Sequence, residues 1–253
     1  MQTVILNKLK EIEEQHCIKL LFSCESGSRG WEFPSLDSDY DVRFIYSRPY
    51  DAYLSIVERR DDLRFPINNE MDVYGWDIRK VLKLVRKSNT TPFEWLQSPI
   101  IYRQEEGFRD NLWALCRHYF DPRTNIHHYL GIARGAMDTM VNGNEIKIKK
   151  LFYVLRPLLS AKWCLEKNSI APMTIGLLMD LLPDDLHREV RNLITLKARS
   201  PESFVIKTGE SLNSYINHEF ARIDEASGKL EKKYFGEDQL DAFFVKTIKQ
   251  YDN

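Results

Sequence analysis

Hydrophobic positions near the start of the chain recur at spacings of four and three, at Ile5, Leu9 and Ile12. That period places them on one face and predicts a helix over residues 3–15, with Thr3 as its N-cap. Ile18–Cys24 reads as a strand, broken by Glu25-Ser-Gly-Ser-Arg-Gly. A polar loop from Trp31 to Ser38 then leads into Tyr40-Asp-Val-Arg-Phe-Ile-Tyr46, whose alternation predicts a second strand. Pro49 to Arg60 fits helix and strand equally. Short strands are expected at Leu63–Ile67 and Met71–Trp76, with Ile67-Asn-Asn-Glu as a turn between them. At Asp77 the period changes to a helical one, opened by a capping residue. Beyond it, prolines punctuate segments of helical period: Glu105–Tyr119, Thr124–Val141, Ile148–Glu166, Leu186–Leu196 and Ser211–Glu225. Pro157 falls inside one of these, where a kink is expected. The pattern predicts an α+β protein: a small mixed β-sheet flanked by helices in residues 1–100, then a helical bundle in residues 101–253 packed against it.

Charge refines this picture by exclusion. The 253 residues hold 36 Lys and Arg against 37 Asp and Glu, a net charge of −1, so bulk electrostatic grip on nucleic acid is not expected. Hydrophobic residues at 43% and charged residues at 29% match an ordinary globular chain rather than a disordered one. No apolar run approaches the roughly 20 residues of a membrane-spanning helix. The first fourteen residues carry Lys8, Lys10, Glu11, Glu13 and Glu14 where a secretion signal would be apolar, so a cytoplasmic location is expected. Cys17, Cys24, Cys116 and Cys164 lack zinc-ligand spacing and read as reduced, mostly buried thiols.

One segment carries chemistry. A strand ends at Glu25, Gly27-Ser28 opens a turn, and Asp39 and Asp41 follow on the next strand. Residues i and i+2 of a strand share a face, so the two carboxylates point the same way, with Tyr40 and Val42 opposite. Two carboxylates at 4 Å repel by about 4 kcal/mol at an effective dielectric of 20, unless a cation lies between them. Oxygen ligands without histidine or cysteine suit Mg²⁺ or Mn²⁺. Gly27 lets a phosphate approach the backbone, Ser28 adds a hydroxyl and Arg29 a charge. A phosphate grip beside a metal-binding pair is what phosphoryl or nucleotidyl transfer requires.

Gly27-Ser28, ten intervening residues and Asp39-Tyr-Asp41-Val resemble the signature of the polymerase-β-type nucleotidyltransferase superfamily. The fuller set, Gly-Ser-Arg-Gly-Trp, Ser-Asp-Tyr-Asp-Val-Arg-Phe and Gly-Trp-Asp-Ile-Arg-Lys, resembles a family of predicted nucleotidyltransferases often encoded beside RNA ligases. The motifs cover residues 22–87, with a fainter echo in Lys150-Leu-Phe-Tyr-Val-Leu-Arg-Pro. The resemblance implies a nucleotidyltransferase fold, a nucleoside triphosphate substrate, two divalent ions and an acceptor such as an RNA end. It makes Asp39 and Asp41 the paired metal ligands and calls for a third carboxylate from a later strand. Asp77 is the favoured third, and Asp72, on the opposite face of a regular strand, is its competitor; a bulge at Gly75 would reverse their faces. Asp77 also suits a helix N-cap.

Around this core, Arg43 shares the face of the aspartates and suits either neutralising them or contacting the triphosphate. Asp37 reads as a turn cap. Lys149, Tyr153 and Arg156 share a helical face that suits a triphosphate, an RNA backbone or plain solvent, while the resemblance favours Lys150 over Lys149. The adjacent His127 and His128 point different ways on a helix and read as structural. Trp76 and Trp95 read as core, and Trp31, inside the loop, suits stacking on a base. Two rival readings use the same fold: a nucleotide- or RNA-binding regulator without turnover, and a toxin or defence enzyme that modifies tRNA or protein.

Overall fold

The structure, a computed structural model, describes residues 1–67, 70–137 and 145–252. The central residues of the expected 67–70 turn, and the end of the expected helix beyond residue 137, lie outside these. The chain divides into two compact units: residues 1–27, 39–119 and 234–253 in one, 28–38 and 120–233 in the other. The texture change near residue 100 is thus not where the units divide, and the loop after Gly27 groups with the later helices.

The first unit opens with α1 (Gln2–His16), β1 (Lys19–Glu25) and a single helical turn, α2 (Gly27–Gly30), which leads out of it. It resumes with β2 (Tyr40–Ser47), α3 (Tyr50–Leu54), β3 (Asp62–Arg64), β4 (Met71–Asp77) and α4 (Ile78–Arg86). Helix α5 (Thr90–Gln97), strand β5 (Ile101–Gln104) and helix α6 (Phe108–His118) follow. Thr3 lies inside α1 rather than capping it. The five strands form one mixed sheet in the order β3-β4-β2-β1-β5, with β2 and β4 parallel and the other pairs antiparallel. Ile5, Leu9 and Ile12 of α1 pack on one sheet face against Val42, Phe44, Tyr46, Met71 and Val73. The period-four-and-three stripe of the helix and the period-two stripe of the strands therefore meet in one core.

The second unit comprises α7 (Pro122–Met137), β6 (Glu145–Lys147), α8 (Ile148–Lys167), α9 (Ile175–Met179), α10 (Asp184–Lys197), β7 (Val205–Lys207) and α11 (Glu210–Gly228). Strands β6 and β7 form a short antiparallel pair. Helix α8 is its centre, in contact with α7, α9, α10 and α11, and it runs through Pro157 as one element. A helix packed on several sides must be apolar on most of its surface, and Leu151, Phe152, Val154, Leu155, Leu158 and Leu159 are all buried. The last helix, α12 (Asp238–Gln250), belongs to the first unit and packs on α4. No described helix is long and apolar enough to cross a membrane. Cys24, Cys116 and Cys164 are buried, Cys17 is exposed, and all four are free thiols.

Candidate active site

Strand register decides which aspartates meet. Strands β2 and β4 run parallel without a shift from Tyr40 opposite Met71 to Tyr46 opposite Asp77, which places Asp41 beside Asp72. Neighbours across a regular ladder share a face, so both carboxylates project on the side away from α1. Between them lies Arg43, whose Nη2 donates to Asp41 Oδ1 and to Asp72 Oδ2, each at 2.7 Å. Its Nη1 donates to the Asp72 carbonyl at 2.6 Å, and its guanidinium stacks 4.1 Å from the centre of the Tyr74 ring. Of the two roles open to Arg43, neutralising the carboxylates is the one this geometry occupies. Asp39 lies just ahead of β2, exposed, with the parity of Asp41.

Asp77 does not join this group. It is five residues beyond Asp72, about 17 Å at roughly 3.3 Å per residue, and it faces the other way. No bulge occurs at Gly75, whose missing side chain is instead required by the Phe44 ring: a Cβ there would meet the ring at 2.2 Å. Asp77 is 4% exposed and caps α4, accepting from Arg79 N at 2.8 Å and from the Tyr53 hydroxyl at 3.1 Å. Burial holds its carboxyl above the usual range, against the lowering effect of those donors and of Arg48. The expectation that Asp77 supplies the third carboxylate is therefore corrected: a capping residue at the far end of the strand cannot reach Asp41.

Gly27 is tied to Asp41 by contact. Its φ is +56°, and a Cβ added to it would lie 1.8 Å from Asp41 Oδ2. Only glycine lets the backbone turn this way and approach the carboxylate this closely. Asp41 is pinned there through its main chain: its N–H donates to Glu25 Oε1 at 2.8 Å, and its carbonyl accepts from Ser26 N at 2.8 Å. Glu25, fully buried, also accepts from the Tyr102 hydroxyl. In the sequence, Glu25 is an acid that ends an apolar strand two residues before Gly27, and that position is its only local signal.

The remaining expected residues lie in the second unit. The Ser28 hydroxyl donates to Ser38 Oγ at 3.0 Å, and Arg29 Nη2 donates to the Ser38 carbonyl at 2.8 Å. Both are thus engaged with the far end of their own loop. Asp37 accepts from Glu202 N at 2.8 Å. On α8, Lys149 pairs with Glu202, and Tyr153 packs edge-on against Trp31 at 5.5 Å. The Arg156 guanidinium lies 4.5 Å from the centre of the Trp31 ring, and its Nε donates to the Met173 carbonyl. Lys150 is half-buried, without a hydrogen bond or ion pair among the described residues. In the first unit, half-buried Trp76 stacks at 4.3 Å on Trp95, which is core. His127 is exposed, and among the described residues no group of three His, Cys, Asp or Glu is arranged to hold a metal ion.

Among known proteins, a solved nucleotidyltransferase-like protein from Exiguobacterium sibiricum 255-15 superposes with a TM-score of 0.32 at 10% identity, covering 98% of this chain and 81% of that one. The uncharacterized protein YcgL of Bacillus subtilis (strain 168) is 39% identical over 237 residues, which is 92% of this chain and 91% of its own. The model of the RNA repair pathway DNA polymerase beta family matches residues 1–246. With nearly the whole chain matched by that model, the protein belongs to the RNA repair pathway DNA polymerase beta family.

Proposed function

We propose that the protein transfers a nucleoside monophosphate from a nucleoside triphosphate to an acceptor hydroxyl, with an RNA end as the acceptor: the hydroxyl oxygen bonds to the α-phosphorus, the bond to the β-phosphate breaks, and pyrophosphate leaves. The observation that carries this reading is the in-register Asp41–Asp72 pair, gathered on one guanidinium and packed against Gly27. Asp39, Asp41 and Asp72 are the residues that would hold divalent ions. The fit is one of donor chemistry, all carboxylate oxygen without histidine or cysteine, which suits Mg²⁺ or Mn²⁺, although the three are not gathered into a ready-made ion cage. Two of its members already share a cation, Arg43, so a positive charge is what this position is built to receive. When bound, divalent ions would stabilise the charge that develops on the attacking and leaving oxygens.

The chain's own groups have separable tasks. Gly27 keeps the backbone open where a side chain would collide with Asp41, and Glu25 fixes the main chain of Asp41. Ser28 offers a hydroxyl to a phosphate, and Lys150 offers a charge not engaged elsewhere among the described residues. Trp31, flanked by Tyr153 and Arg156, offers a ring for a base. The RNA acceptor is supported by the family's name, which places it in an RNA repair pathway.

The test is incubation of the purified protein with each α-labelled triphosphate, Mg²⁺ or Mn²⁺, and total RNA or protein. The expected result is α-label in RNA, with none when the γ-phosphate carries the label and none without divalent ion. Label in protein alone would replace the acceptor. No transfer from any triphosphate, or equal triphosphate affinity with and without divalent ion by calorimetry, would overturn the reading.

A further inference from the structure

Lysine is seldom buried without a carboxylate in contact, because its ammonium gives up strong hydration. Lys197, the last residue of α10, is 0% exposed. Its Nζ donates to the Phe33 carbonyl and to Ser35 Oγ, each at 2.9 Å, and lies 5.5 Å from the centre of the Phe33 ring. Both oxygens belong to the loop that runs from Ser28 to Ser38.

The residues after Lys197 hold the same loop. The Ser200 carbonyl accepts from Leu36 N, and Glu202 accepts from Ser38 Oγ while its own N–H donates to Asp37. Ser38 then closes the loop on itself, because its hydroxyl accepts from Ser35 N at 2.9 Å and from the Ser28 hydroxyl at 3.0 Å. Ser28 is the offered phosphate donor at one end, and Asp39, the next residue after Ser38, is a proposed metal ligand at the other.

We propose that Lys197 is a positioning residue for nucleotidyl transfer: it seats loop 33–38 and thereby sets Ser28, the offered phosphate donor, for the reaction. This rests on the proposed function. Replacing Lys197 by an apolar side chain would leave the Phe33 carbonyl and Ser35 Oγ without their donor in a dry setting, and the loop would have to rearrange to find water. The seat has a pH dependence. Burial brings the Lys197 ammonium down to about 8; Glu202 and Asp37 oppose the shift, and Lys149 adds to it. Above that pH the bonds from Nζ lose their charge assistance and weaken.

The experiment has two arms, both on the full chain. The first follows amide hydrogen exchange at Phe33, Ser35, Leu36 and Ser38 from pH 7 to 9.5, as protection relative to the unfolded rate. Wild type should lose protection through a break near pH 8. Lys197→Met should show low protection without a break. Ser35→Ala, a milder variant, should keep the break but at lower pH, since one bond to the charged form is gone. The second arm measures transfer from MgATP or another accepted triphosphate. Lys197→Met should lower kcat at least tenfold with KM changed less than threefold, and its rate profile should lack the break near pH 8.

Wild-type protection without a break, or Lys197→Met with wild-type protection, would overturn the seat. Equal kcat and KM in wild type and Lys197→Met would overturn the positioning role while leaving nucleotidyl transfer standing. A seat that behaves as expected in a protein that transfers nothing would instead overturn the proposed function.

Discussion

Asp72→Asn and Asp77→Asn, compared side by side, test the site most directly. Both substitutions keep shape and remove one negative charge. Asp72 lies beside Asp41 in the ladder, and both accept from Arg43 at 2.7 Å. Asp77 lies five residues further along, about 17 Å away by strand rise, on the other face. Carboxylates bind Mg²⁺ at about 2.0–2.1 Å, so an ion held by Asp41 is within reach of Asp72 and beyond Asp77. Asp72→Asn should therefore lower transfer by a hundredfold or more, about 2.7 kcal/mol of barrier. Asp77→Asn should leave the rate within about twofold, because asparagine caps a helix about as well as aspartate.

Asp77 also has a signature in stability against pH. Burial raises the folded-state pKa of Asp77 above its ordinary value, so the folded protein binds that proton more readily than the unfolded chain. The contribution is then fully present below the ordinary carboxylate pKa and is lost as pH rises through the raised one. Asp77→Asn should abolish this loss, visible as a flatter dependence of Tm on pH above the ordinary carboxylate value. Initial rates with an α-labelled triphosphate at saturating Mg²⁺, together with thermal melts, supply both readouts. Loss of transfer in Asp77→Asn with activity retained in Asp72→Asn would refute the assignment and the register argument beneath it.

Three further outcomes are expected. Gly27→Ala should cost more than about 2 kcal/mol in denaturant melts and abolish transfer, because its Cβ falls 1.8 Å from Asp41 Oδ2 at a φ of +56°; a stable, active variant would contradict the contact. Arg43→Met leaves Asp41 and Asp72 facing each other without their cation, and since they are 28% and 31% exposed the loss should be about 2 kcal/mol, between surface and buried pairs. Added Mg²⁺ should recover part of it, and a Tm indifferent to Mg²⁺ would argue against metal binding there. Ser28→Ala should slow transfer tens to hundreds of fold, about 2–3 kcal/mol, while stability changes by about 1 kcal/mol for one hydrogen bond to Ser38; an unchanged rate would move the phosphate grip elsewhere.

Local rules made much of this protein legible in its sequence. The Ile5-Leu9-Ile12 stripe, the alternation after Tyr40 and the capping aspartate at the head of α4 are each written within a dozen residues, and each element formed where its period placed it. Gly27 and the shared parity of Asp39 and Asp41 were legible, the latter because spacing along an extended chain fixes a face. Strand β5, the β6–β7 pair and α12 were missed, the strands being only three or four residues long, too short to show a period.

What the sequence could not decide was partnership between strands. Whether Asp72 or Asp77 meets Asp41 depends on the register of β2 against β4, and one residue of slip would exchange the faces. Register is set by the whole sheet, by α1 packing on one side and by Phe44 lying over Gly75, none of which is local. Lys197 shows the same limit at longer range: 162 residues separate it from Ser35, and only tertiary packing turns a lysine at a helix end into the buried donor of a loop.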